Sequence, residues 1–172
     1  RFCATGNMPG WRNLTAEEIA AQIQFVLEQN DNTDPLDSKE FKINYTRMGE
    51  PFLNLEAVKQ VIQQISSIFP NTHHYVSTIG LKDADYSWIG GNTTLQISLH
   101  AMSEERRNWL IPYGRKASIA DLGKIRTRSN NKTTINLTLV EDSDFDMAVL
   151  KEHFDPAHFF IKLSPINKNA VS

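Results

Sequence analysis

Two apolar rhythms alternate from one end of this chain to the other, and that alternation limits its folds more than any other feature. Residues Thr15-Ala16-Glu17-Glu18 form a capping box, with Leu14 and Ile19 placed as a hydrophobic staple. Ile19, Ile23 and Val26 continue at helical spacing to about Gln29. After a polar turn at Asp34-Pro35, the stretch from Phe41 to Arg47 alternates apolar with polar side chains and predicts a strand. A second helix is predicted from the cap candidate Asn54, with Val58, Val61, Ile62, Ile65 and Phe69 on one side, ending before Pro70. The rhythm repeats, with strands expected at about His74 to Thr78, Thr94 to Leu99, Thr133 to Val140 and His158 to Leu163. Helical or mixed stretches lie between them, capped at Ser103 and Ser118 or running from Asp144 to His153. Strands that alternate with helices predict an α/β fold, a parallel sheet or barrel of about five strands with helices outside. No low-complexity linker divides the chain, so residues 1–172 are expected to form one domain.

Parallel α/β folds bind ligands at the C-terminal ends of their strands, where loops leave backbone groups and side chains unpaired. Five segments fall there: Met48-Gly49-Glu50-Pro51, Ser77-Thr78-Ile79-Gly80, Ser98-Leu99-His100, the segment after Val140, and Pro165-Ile166-Asn167. Composition narrows the partners. With 40% hydrophobic residues and a formal charge of -2, the 172-residue chain has the make-up of an ordinary globular domain, not of a disordered segment. No run approaches the roughly 18 apolar residues of a spanning helix, so no membrane partner is expected, and the start of the chain lacks a secretory pattern, which makes the cytoplasm the expected location. The single cysteine, Cys3, leaves no internal disulfide partner. Near-neutral charge argues against a nucleic-acid surface made by this segment alone. The densest basic stretch, which contains Arg106, Arg107, Arg115 and Lys116 with Trp109 and Tyr113, is expected to be a solvated helix face.

Read in order, the strand-end segments resemble the signature positions of the RlmN/Cfr family of radical S-adenosylmethionine (SAM) enzymes. Phe2-Cys3-Ala4-Thr5-Gly6, followed by Arg12-Asn13-Leu14-Thr15 with Glu18-Ile19, resembles the family's stretch around its cluster cysteines. Met48-Gly49-Glu50-Pro51-Phe52-Leu53-Asn54 resembles its glycine-glutamate-proline motif. Ser98-Leu99-His100-Ala101, with Arg107 and Pro112 behind it, is similar to its Ser-Leu-His-Ala segment. Leu163-Ser164-Pro165-Ile166-Asn167 is similar to its Leu-x-Pro-x-Asn strand end.

The resemblance implies a partial (β/α) barrel with mainly parallel strands and outer helices. It implies two cofactors, a 4Fe-4S cluster and S-adenosyl-L-methionine, with an external electron donor. It also implies adenine methylation of an RNA partner, rRNA or tRNA. By resemblance Cys3 is the third thiolate of a Cys-x-x-x-Cys-x-x-Cys loop whose other two cysteines would precede Arg1. The chain alone is therefore expected to hold no cluster and to be inactive. Glu50 would accept from the ammonium group of SAM, and Gly49 would let backbone approach the ligand. Ser77 and Ser98 would contribute hydroxyl contacts, Leu99 and His100 would flank the adenosine, and Asn167 would bond the ribose or adenine. His73, His74, His153 and His158 are expected to be structural. The chain departs from the family's pattern at Arg47, where glycine is usual, and at Asn7-Met8-Pro9-Gly10-Trp11. The cysteine that the family methylates near its C-terminus does not occur before Ser172. These departures keep open a radical SAM enzyme acting on a peptide or small molecule, and a non-catalytic remnant or binding module.

Overall fold

The computed structural model describes residue 5 and residues 10–29, 35–36, 41–139 and 144–165. Helix α1 (Ala16–Glu28) begins at the expected capping box: Thr15 Oγ1 accepts from Glu18 N–H, and the Glu18 carboxylate accepts from Thr15 N–H. Arg12 then grips the outer side of that carboxylate with both guanidinium nitrogens, at 2.5 and 2.7 Å. Strand β1 (Phe41–Tyr45) leads through a one-turn 3-10 helix (Pro51–Leu53) into α2 (Leu55–Ile68). Strands β2 (Thr72–Thr78) and β3 (Thr93–Ser98) are joined without a helix. Helices α3 (Glu104–Leu110) and α4 (Ile119–Leu122) lead to β4 (Thr133–Leu139), and α5 (Met147–His153) leads to β5 (Phe159–Pro165).

All four strand pairings are parallel, in the order β1-β2-β3-β4-β5, so the fold is α/β with an open sheet whose edges are β1 and β5. Sequential order with crossovers of one hand puts every connection on the same face, the arrangement of a barrel wall rather than of a doubly wound sheet. The burial pattern agrees. Val76, Leu95, Ile97, Ile135 and Leu137 project to one face and pack with Val58, Val61 and Ile65 of α2 and Leu150 of α5 in one core. Where the β2–β3 connection lacks a helix, Tyr86 and Ile89 are buried in its place. Burying side chains such as these stabilises the fold by about 1.5–3 kcal/mol each relative to leaving them in water.

The opposite face is polar. In-register neighbours of a parallel sheet point the same way, so the rows Ser77-Gln96-Thr134 and Ser98-Asn136-Lys162 share that face. Ser77 Oγ donates to Gln96 Oε1 at 3.0 Å, and the His73 ring pairs with Thr94 Oγ1 at 2.8 Å. His74, one residue from His73, points the other way beneath α2. There its two ring nitrogens meet Tyr45 Oη at 3.2 Å and Ser66 Oγ at 2.9 Å. The structural role expected for His74 is thus accounted for atom by atom.

Candidate active site at the strand ends

Beyond β1 the chain turns sharply, with Arg47 and Gly49 at φ 75° and 91°. That turn delivers Glu50 to the C-terminal end of the sheet, where its side chain caps the 3-10 turn. Oε1 accepts from Phe52 N–H at 3.2 Å, and Oε2 reaches across to β2's end to accept from Ile79 N–H at 2.9 Å. Burial pushes the Glu50 carboxyl up from its ordinary range, against the hydrogen bonds from Ile79, Thr78 and Phe52 that favour the charged form. Among the described residues no cation forms an ion pair with it. A half-buried carboxylate with one N–H on each oxygen and the Thr78 hydroxyl beside them retains acceptor capacity, and a cationic donor would lower its energy most.

Ser77 and Ser98 lie half-buried on the polar face of neighbouring strands, near that same end. Leu99 turns to the other face, where its side chain is fully buried in the core. Any contact it makes with a ligand on the polar side is therefore through its backbone. His100 follows with a left-handed φ of 59°, a conformation that costs most residues about 1–2 kcal/mol. Backbone bonds hold it there: the amides of Leu99 and His100 both donate to Asn136 O, and Thr138 N–H donates to His100 Nδ1 at 3.2 Å. Burial, with the nearby charge of Arg107 adding to it, takes the His100 imidazole down to about 4. At neutral pH the ring is uncharged, and the bond to Nδ1 places its proton on Nε2.

Arg107 corrects one expectation. Instead of lying on a solvated helix face it is 0% exposed, and its Nη1 and Nη2 donate to Ala117 O at 2.5 Å and Ile79 O at 2.6 Å. Trp109 of the same helix is half-exposed, with the Arg106 guanidinium 4.6 Å from its ring centre.

Curated bacterial proteins match nearly the whole of this chain. A protein of Chlorobium phaeobacteroides named "Probable dual-specificity RNA methyltransferase RlmN" is 34% identical over 99% of this chain. One of Pseudothermotoga lettingae bearing the same name is 32% identical over 96%, and "Dual-specificity RNA methyltransferase RlmN 2" of Myxococcus xanthus is 32% identical over 98%. The chain is a relative of the RlmN proteins. It spans about half of their length: 50%, 50% and 48% of these three. No protein-family model matches it, and neither does any solved structure.

In this RlmN relative, Gly49, Glu50, Ser77, Ser98 and His100 come to one end of the sheet from three strands, although more than fifty positions separate the first from the last. Cys3 and Asn167 lie outside the described residues. Among the described residues no group of three or more His, Cys, Asp or Glu side chains is placed to hold a metal ion. Sequence reasoning missed Asp144. Its carboxylate accepts from Met102 N–H, Ser103 N–H and Ser103 Oγ–H at 2.6–3.0 Å, tying the loop after β3 to the segment after β4. A small depression of about 10 Å³, bounded by His100, Thr138 and Asp144, lies at that junction. The larger cavity, about 200 Å³ between Arg126, Lys132 and His158, opens at the opposite end of the sheet. The strand-end residues have no part in it. No helix among the described residues is long and apolar enough to cross a membrane.

Proposed function

We propose that this chain is the SAM-binding core of a radical SAM enzyme that methylates adenine in RNA, with one domain spanning residues 1–172. The observation that carries the reading is Glu50: a half-buried carboxylate without a cationic partner among the described residues, at the strand ends of a chain related along nearly all its length to proteins named RNA methyltransferases. In this reading Glu50 accepts from the SAM ammonium group, and the absence of a Cβ at Gly49 lets the ligand lie against backbone. The hydroxyls of Ser77 and Ser98 bond SAM from the polar face. The backbone of Leu99 and the neutral ring of His100 border the adenosine, and Asn167 bonds the ribose or adenine.

A four-iron cluster takes three thiolates, and this chain has one cysteine, so its own donors do not fit the cluster. Cys3 would be one thiolate of that set, an external electron donor would reduce the cluster, and rRNA or tRNA would receive the methyl group. A cytoplasmic location accords with such a substrate. Arg47 gives a second reading its footing. An exposed cation at the rim of the site, where glycine is usual in the family, suits a radical SAM enzyme with a peptide or small-molecule substrate.

The test is SAM affinity in the full-length protein. Glu50→Gln replaces a charge-assisted bond with a neutral one and should weaken SAM about tenfold, the equivalent of about 1.4 kcal/mol, while the Glu50→Asp variant retains part of it. Unchanged affinity removes Glu50 from the site. Methyl transfer to an rRNA or tRNA transcript, against none to peptides, decides between the two substrate classes.

A further inference from the structure

Arg107 is a full cation with no exposed surface and, among the described residues, no carboxylate within hydrogen-bonding reach. Its two terminal nitrogens end on carbonyl oxygens, and Nε has no partner among the described residues. Glu104 lies close enough to favour the charge, yet its Oε1 is taken by Ile119 N–H at 2.6 Å. Burying a charge in this way is costly, and an apolar side chain of the same volume is often neutral or better for stability. Stability alone is therefore a weak reason for this residue.

Its bonds point to another. The carbonyl that Arg107 holds belongs to Ile79, the residue whose N–H holds Glu50 Oε2. The chain turns immediately afterwards at Gly80, φ 80°, where Gly80 O accepts from Ala117 N–H at 2.8 Å, and Ala117 O is the second acceptor of Arg107. Residue 79 is thus gripped on its carbonyl side by Arg107, while its amide side carries the carboxylate. Sub-ångström errors in a binding group are expensive, because its partner must meet it at hydrogen-bond distance.

We propose that Arg107 is a positioning residue, which fixes the Glu50 carboxylate for its ligand by clamping Ile79 between them. The inference rests on the SAM reading of Glu50, and its test has an arm that is independent of SAM. In the chain itself, the Ile79 amide proton should resonate downfield because it bonds a carboxylate. In Arg107→Met it should move upfield, while the amides of Val61, Leu95 and Ile135 in the core keep their positions. An Ile79 amide that stays put with the core intact overturns the proposal. Should Arg107→Met fail to fold, the unaltered chain still decides: the Arg107 Nη–H protons must exchange slowly with solvent, and fast exchange overturns the clamp.

The second arm is a double-mutant cycle for SAM affinity in the full-length protein. Arg107→Lys, which keeps the charge but reaches only one carbonyl, should weaken SAM by about three- to tenfold, and combining it with Glu50→Gln should cost no more than about the single Glu50→Gln loss. Full additivity, or no loss in Arg107→Lys when Glu50→Gln shows one, overturns the clamp and leaves the SAM reading standing. No loss in Glu50→Gln overturns both.

Discussion

Lowering the pH from about 7.5 to about 5.5 should cost this fold stability through two histidines, the buried His74 and the half-buried His100, and His74 is the cleaner of them. It is 0% exposed, stacked on Tyr45 with ring centres 5.9 Å apart, and bonded on both nitrogens to hydroxyls. Burial, with the neighbouring His73 as a lesser cause, takes its pKa down to about 4 from an ordinary 6.5. For a histidine lowered in the folded state, the unfolded chain binds the extra proton, so stability is full above the unfolded pKa and falls as pH drops through 6.5 towards 4. At about pH 5.5 the unfolded imidazole is roughly nine-tenths protonated and the folded one almost not at all, which amounts to about 1.4 kcal/mol. His100, also taken down to about 4, adds a similar amount. Glu50, raised in the folded state, acts with the opposite sign and offsets part of the loss as pH approaches its own range. Urea unfolding followed by far-ultraviolet circular dichroism should show a decline of up to about 3 kcal/mol between the two pH values, and about half of it should disappear in His74→Gln, each variant referred to its own value at pH 7.5. An unchanged pH slope in His74→Gln would refute the reasoning.

Two further changes test the turns that shape the site. Arg47→Gly removes a left-handed strain of about 1–2 kcal/mol at φ 75° and gives back about 0.5–1 kcal/mol as chain entropy, so the thermal midpoint should rise by a few degrees; no rise would mean that Arg47 is held there without strain. Gly80→Ala should destabilise by about 3 kcal/mol in the same melt, because the added methyl group meets the Leu122 side chain, itself 0% exposed, at a residue with φ 80°; a loss below about 1 kcal/mol would show that Leu122 can withdraw.

What the sequence discloses about this fold is what its local chemistry controls. The capping box at Thr15 and Glu18 and the cap at Ser103 are bonds between residues three apart, and both are present as read. Strand bounds moved by about two residues at most, since a strand ends where its partner does. The assignment of faces was less accessible. In Thr72-His73-His74-Tyr75 polar groups occupy both alternating sets, and only the register of β1, β2 and β3 shows that His73 faces the polar side and His74 the core. Arg107 carried no local mark separating it from Arg106; burial of one and not the other follows from the turn that brings Ile79 and Ala117 to it. Asp144 was read as the start of the last helix. The cap there is Asp146, and Asp144 bonds instead to Met102 and Ser103, some forty residues earlier, a distance that no spacing rule spans.

The two faces of the sheet explain why the chemistry must be sought where these residues converge. Strands of a parallel sheet are ordinarily covered on both sides and are apolar throughout. Here the helix side follows that rule: Ile97, Leu99, Ile135 and Leu137 close it with side chains no more than 3% exposed. The other side carries Ser77, Gln96, Ser98, Asn136 and Thr138, none of them fully buried, and Lys162 on the edge strand is exposed. Polar groups in such number stay hydrated or meet a polar ligand, because a layer of apolar side chains laid over them would leave their donors and acceptors unpaired at about 1–3 kcal/mol each. The filled helix side denies a ligand any entry between strands, and the polar side offers hydrogen bonds along its length. At the C-terminal edge of that polar side stand Glu50, half-buried with N–H donors on both oxygens, and His100, kept neutral and strained. Those two groups have electrostatic states that the fold itself perturbs, which makes this edge, rather than the rest of the polar face, the candidate site.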